Sequence, residues 1–112
     1  MELRQLCYFR AVVELLSFSG AAKRLRVGRS SVSREIKSLE RELGAKLLDR
    51  SRFNVALTDA GDAFYREICR FLADLDFAVK DVRQIAAETG HRKGSALRAS
   101  ETRERKARVN FG

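Results

Sequence analysis

From Phe64 onward the apolar residues Ile68, Phe71, Leu75, Ala78, Val82 and Ile85 follow one another at spacings that alternate between 4 and 3. A strict 3.5-residue repeat puts every member on one seam of an α-helix and is the signature of helices that pair. Tyr65, Leu72, Val79 and Ala86 form a second row beside it, so the apolar stripe is wide. Thr58 suits the N-cap, and Asp59 and Asp62 fall in the first turn, where carboxylates complement the helix dipole. A helix from Thr58 to Thr89 would be about 48 Å long at ~1.5 Å per residue. That is more than a small helical core can cover. The seam from Phe64 to Ile85 therefore predicts a partner helix, with a fold back onto the chain's own domain as the alternative.

The residues before this helix read as three shorter helices and a hairpin. Leu6, Phe9, Val13 and Leu16 share one helical face, at spacings of 3, 4 and 3. Ser17-Phe18-Ser19 interrupts that run, and Ser19 is the expected N-cap of a short helix from Gly20 to Arg26. In it the small pair Ala21-Ala22 lets another helix come close, and Leu25 anchors the contact. After Val27-Gly28 a third helix is expected from Arg29 to Leu43, stopped by Gly44. Val32, Ile36, Leu39 and Leu43 make its apolar face, while Arg29, Ser30, Ser33, Arg34, Lys37 and Arg41 lie opposite. Leu47-Leu48 and Val55-Ala56-Leu57 flank a polar turn and read as a small β-hairpin. The expected fold is mainly α: a winged helix-turn-helix over 1–58, a long dimerisation helix over 59–90 and a basic tail over 91–112.

Charge points the same way. The 112 residues carry a formal net charge of +8, and a basic surface favours polyanions because each neutralised phosphate releases condensed counterions. Residues 1–52 hold 12 Lys and Arg against 6 Asp and Glu, residues 53–90 hold 4 against 7, and residues 91–112 hold 7 against 2. The positive charge thus sits at the two ends of the chain. Cys7 and Cys69 read as buried thiols rather than as a disulfide or metal set, and His91, in the tail, as a solvated side chain. There is no Gly-rich phosphate loop, no metal-spaced ligand set and no nucleophile–base set, which argues against an enzyme and against a cofactor. No apolar run reaches the ~18–20 residues that span a bilayer. The first residues also lack the order of a secretory signal, so the expected location is the cytoplasm, at the nucleoid.

The stretch from Tyr8 to Gly61 resembles the N-terminal domain of LysR-type transcriptional regulators. The matching residues are Phe9, the run Ser17-Phe18-x-x-Ala21-Ala22-x-x-Leu25, Ser33, Ile36, Leu39-Glu40, Leu43-Gly44, Leu47, Arg50 and Leu57-Thr58-x-Ala60-Gly61. The helix after Thr58 is similar to that family's linker helix, so the likeness covers roughly residues 1–90. It implies double-stranded DNA as partner and a homodimer with antiparallel linker helices. Several positions depart from the usual pattern. Gly28, Arg29 and Ser30 stand where the family commonly has Ser or Thr, Gln, and Pro or Ser; a guanidinium at 29 suits guanine O6 and N7. Leu16 stands where glycine is frequent, and Phe53 where a basic wing residue is common. Family members also carry a two-lobed sensing domain after the linker helix. The chain ends at Gly112, so no inducer pocket is expected within it.

In a helix-turn-helix the second helix of the motif enters the major groove by its N-terminal residues. Those are Arg29, Ser30, Ser33 and Arg34, of which the resemblance favours Ser33 and Arg34. Ser19 could offer its hydroxyl to a phosphate or act only as a cap. Arg50 and Arg52 on the wing would touch phosphates or an adjacent minor groove, although Arg50 could instead pair with Glu40. Lys37 and Arg41 lie further along and suit the DNA backbone. Two functions follow: a dimeric, sequence-specific DNA-binding regulator without its own sensor, or a modulator that titrates a full-length relative through the linker helix.

Overall fold

The computed structural model describes residues 1–51 and 54–89. The tail expected over 91–112, with His91, and the wing residues Arg52 and Phe53 lie outside them. Four helices and one hairpin follow in the order α1 (Leu3–Leu15), α2 (Phe18–Leu25), α3 (Arg29–Leu43), β1 (Leu48–Arg50), β2 (Val55–Leu57) and α4 (Asp59–Thr89). This is the winged helix-turn-helix order with a long helix after it. The chain divides into two compact units, Met1–Leu72 and Ala73–Gly112. In the second, the described residues are the helical 73–89.

The four helix starts use three devices, α2 and α4 sharing a hydroxyl cap. α1 opens on a capping box, in which the Glu2 N–H donates to Gln5 Oε1 at 2.9 Å while the Glu2 side chain accepts from the Gln5 backbone. α2 corrects the sequence expectation, because its N-cap is Ser17, whose Oγ accepts the Gly20 N–H at 2.9 Å. Ser19 is already inside the helix and exposed. The shift has a packing cause: Phe18 is buried, so it belongs to the helix that delivers it to the core. α3 starts at Gly28, which is extended and has no side chain to cap with. Thr58 caps α4 as expected, with its Oγ1 accepting the Gly61 N–H at 2.9 Å and donating to the Lys46 carbonyl at 2.5 Å.

Helix ends are set by left-handed residues at Leu16 (φ 49°), Arg26 (φ 58°) and Gly44 (φ 67°). At Gly44 the backbone closes on α3 through Gly44 N–H to Arg41 O and Ala45 N–H to Glu40 O, the pattern in which glycine is cheapest. Leu16 has a Cβ and occupies the same region, while its side chain is 56% exposed and packs little in return.

The core of the first unit is built by Phe9 and Val12 of α1, Ala21 and Ala22 of α2, Val32, Ile36 and Leu39 of α3, and Leu47 and Leu48 entering β1. Removing a methylene-rich side chain from such a close-packed set costs about 2–5 kcal/mol. The start of α4 closes it. Ile68 is buried in this cluster, and Phe64 and Tyr65 pack on Phe9 with ring centroids 5.8 and 6.4 Å away. The first two residues of the expected pairing seam, Phe64 and Ile68, are therefore used inside the unit. Phe71, Leu75, Val79 and Val82 are exposed. The cysteines are free thiols, as expected, but both are half-buried rather than buried. Beside Cys69 the Tyr65 phenol is pushed above its ordinary pKa, first by its hydrogen bond to Cys69 and then by burial. No helix among the described residues is long and apolar enough to cross a membrane.

The hairpin pairs antiparallel in the register Leu48–Leu57, Asp49–Ala56 and Arg50–Val55. Leu47, just ahead of β1, is where three elements meet. Its carbonyl accepts the Thr58 N–H at 3.1 Å. A Cβ placed on Gly61 would come to 1.9 Å of that same oxygen, so only glycine lets α4 approach the hairpin this closely.

Two substitutions test these readings by chemical denaturation. Gly61→Ala is expected to destabilise the first unit by about 3 kcal/mol or more, because the obstacle is backbone. Leu16→Gly is expected to stabilise it by about 0.5–1 kcal/mol, by relieving the left-handed backbone at an exposed site.

Candidate nucleic-acid interface

α3 is amphipathic in a way that sorts its chemistry. Val32, Ile36 and Leu39 are fully buried and fix the helix against α1 and α2. Arg29, Ser30, Arg34 and Lys37 consequently face solvent, with Ser33 half-buried beside them. The three carboxylates of α3 are all engaged elsewhere. Glu35 accepts from Arg4 at 3.1 Å, Glu42 from the Met1 amino group at 2.7 Å, and Glu40 from backbone. Among the described residues, Arg29, Arg34, Lys37 and Arg41 form no ion pair. The outer face of α3 is thus basic without internal neutralisation, and its donors are available.

Glu40 settles one of the alternatives left open by the sequence. Its Oε2 accepts the N–H of Leu47 at 2.7 Å and of Leu48 at 3.2 Å, so the carboxylate is spent on the entry to β1 and forms no pair with Arg50. β1 then carries the chain back along α3. Its last residue, Arg50, reaches Ser33, two helical turns from Glu40, and Nη1 donates to Ser33 Oγ at 2.7 Å. The same guanidinium lies over the Phe18 ring, with Cζ 4.0 Å from the centroid. The hairpin, α3 and α2 therefore converge on one cation. Arg34 leans back along its own helix, with Nη2 3.4 Å from Ser31 Oγ, a long contact that leaves the side chain easily redirected.

Between these elements opens a cleft of about 200 Å³, lined chiefly by Ser17, Ser19, Arg29, Arg50, Ser51 and Asn54. It is polar, and two guanidinium groups flank it. Of the eight residues expected to contact DNA, Ser19, Arg29 and Arg50 line this cleft, while Ser30, Ser33, Arg34 and Lys37 lie along α3; Arg52 is outside the described residues. Ser17, Ser51 and Asn54 were missed by the sequence reading. Ser51 and Asn54 are tied to each other, with the Ser51 N–H donating to the Asn54 carbonyl at 2.9 Å and the Asn54 N–H to Ser51 Oγ at 3.1 Å. A Ser-x-x-Asn turn after a short apolar run is the signal that could have found them.

The three-helix core, the hairpin pinned beside α3 and the basic helix face together define a winged helix-turn-helix protein. Residues 3–62 match the family of bacterial regulatory helix-turn-helix proteins of the lysR type. The chain belongs to the LysR family. It is 45% identical over 86 residues to the transcriptional regulator BudR of Klebsiella aerogenes, covering 77% of this chain and 60% of BudR. To BenM of Acinetobacter baylyi it is 42% identical over 87 residues, covering 78% of this chain and 29% of BenM. The chain therefore spans less than two thirds of the regulators it matches. Among solved structures, the BenM DBD complex with catB site 1 DNA is 43% identical, with a TM-score of 0.75, covering 77% of this chain and 97% of that one. The CbnR DBD–DNA complex is 42% identical, with a TM-score of 0.70, covering 78% of this chain and 99% of that one.

Glu40 is expected to be a stability determinant of the wing. Glu40→Ala leaves the Leu47 and Leu48 N–H groups without their acceptor and should cost about 1.5–3 kcal/mol, the range for hydrogen bonds to a charged group. Glu40→Gln keeps a carbonyl oxygen and should lose less. Urea titration of the three proteins checks the order.

Proposed function

We propose that this chain binds double-stranded DNA sequence-specifically as a homodimer and thereby regulates transcription in bacteria, acting in the cytoplasm at the nucleoid. The observation that carries the reading is the outer face of α3, where Arg29, Ser30, Ser33 and Arg34 stand together while every carboxylate of the helix is turned to other partners. A face so arranged attracts phosphates and offers donors to base edges. The similarity to two solved DNA complexes at 42–43% identity supports it.

In this reading α3 enters the major groove by its N-terminal end. Arg29 and Arg34 have the reach for base edges, and Arg29 suits guanine O6 and N7. Lys37 and Arg41 follow the phosphate backbone, and Ser19 offers its hydroxyl to a phosphate at the rim of the cleft. The exposed apolar residues Phe71, Leu75 and Val82, with Ala78 and Ile85 on the same seam, supply the dimer contact. One recognition helix reads few base pairs. Two copies joined through α4 would read a two-fold symmetric site.

A DNA selection from a random pool, run at physiological salt with the wild-type chain and with Arg34→Ala, tests this. The wild type is expected to enrich a dyad-symmetric site. Arg34→Ala should bind that site more weakly by about 1–3 kcal/mol and relax the preference at one base pair per half-site. Failure of the wild type to enrich any site, or the same salt-sensitive preference in both proteins, overturns sequence-specific binding and leaves the titrating heterodimer.

A further inference from the structure

We propose that Arg50 is a positioning residue: its guanidinium, held against Phe18, locks the Ser33 hydroxyl as an acceptor on the wing side and so presents Ser33 to DNA as a donor. The inference rests on the reading that α3 faces DNA, and it adds to that reading a rule for one base.

A serine hydroxyl is chemically ambiguous, with one hydrogen to donate and two lone pairs to accept with. Left alone at the surface it reads no polarity. Here the ambiguity is removed. Arg50 Nη1 donates to Ser33 Oγ at 2.7 Å, a charge-assisted contact at the short end of the usual range. Donation into the oxygen strengthens the hydroxyl as a donor, and the cation beside it makes acceptance from a second amine unfavourable. Among the described residues, nothing accepts the Ser33 hydrogen, so it is available to a ligand. The latch also has a fixed base. Arg50 is the last residue of β1, paired with Val55, and its guanidinium carbon Cζ rests over the buried Phe18 ring, 4.0 Å from the centroid. A lysine could supply the charge but not the flat surface that stacks on an aromatic face.

The consequence is a selection against one base. A donor in the major groove is satisfied by guanine O6 or N7, adenine N7 or thymine O4, and it meets another donor at cytosine N4. Ser33 held by Arg50 therefore excludes cytosine from the strand position it reads. Without the latch the hydroxyl can turn round and accept from N4.

Two measurements test the proposal. In the free protein, nitrogen-15 NMR should show separate, slowly exchanging Arg50 guanidinium signals that average together in Ser33→Ala; averaged signals already in the wild type overturn the latch. DNA selection is then run with the wild type, Arg50→Met, Ser33→Ala and the double variant, each first checked for an unchanged thermal melt. Arg50→Met keeps an apolar chain over Phe18 without charge or donor. The wild type should exclude cytosine at one position per half-site, and both single variants should admit it. Affinity for the best site should fall about three- to tenfold in each single variant, the worth of one hydrogen bond, with no further loss in the double. The salt dependence should not change.

If Arg50→Met instead keeps the wild-type base profile, weakens all sequences alike and lowers the salt slope by about 0.9, Arg50 is a phosphate contact and the proposal falls. If the latch is present in the free protein but the wild type enriches no site, sequence-specific reading fails, and the role of Ser33 fails with it.

Discussion

The junction at Leu47 is the constraint from which the rest of the first unit follows. Its side chain is buried in the core, its N–H is taken by Glu40 of α3, its carbonyl by the Thr58 N–H that opens α4, and the same oxygen lies against Gly61. Three elements are fixed to one residue by bonds that all have low tolerance for displacement. Because Glu40 holds the entry to β1, the strand must return along α3, and because it returns there, Arg50 arrives at Ser33. The geometry of the candidate interface is thus decided some distance from it, by an acid bound to two backbone amides.

Most of the architecture was legible in the residues because it rests on periodicity and punctuation. The apolar spacing in α3, the glycine at 44 and the threonine at 58 each act locally, and local rules are what a sequence displays directly. Ser19 shows where this stops. Ser17 and Ser19 are equally good caps on composition, and the choice between them is made by Phe18, whose ring must reach the core. The pairing seam shows a second limit. Its period is unbroken from Phe64 to Ile85, yet Phe64 and Ile68 serve the chain's own core, since a heptad pattern states which face is apolar but not what covers it.

The candidate site was legible residue by residue but not as an arrangement. Arg29, Ser33 and Arg34 follow from their place on the helix, whereas the meeting of Arg50, Ser33 and Phe18 joins three positions 15 and 17 residues apart through tertiary contacts. The fate of the acidic residues was equally hidden. Composition shows 6 carboxylates among residues 1–52, and only the fold shows that those of α3 are occupied by Arg4, the chain's amino terminus and two backbone amides. Such pairs add little stability when exposed. Their effect on the field over the helix face is the larger one, since they remove negative charge from the side where donors stand.

The Glu40–Leu47 contact also sets a rule for how chains of this design can vary. Between Gly44, which ends α3, and Leu47 there are two residues, and Leu47 must arrive with its N–H toward the carboxylate and its side chain inward. Leu47 and Leu48 are both buried, so with the register at Glu40 kept, one residue gained in the link would put Lys46 where Leu47 stands, and one residue lost would put Asp49 where Leu48 stands. A change of length in the α3–β1 link thus brings a charged side chain to a core position, whereas replacing the exposed side chain of Lys46 disturbs neither leucine.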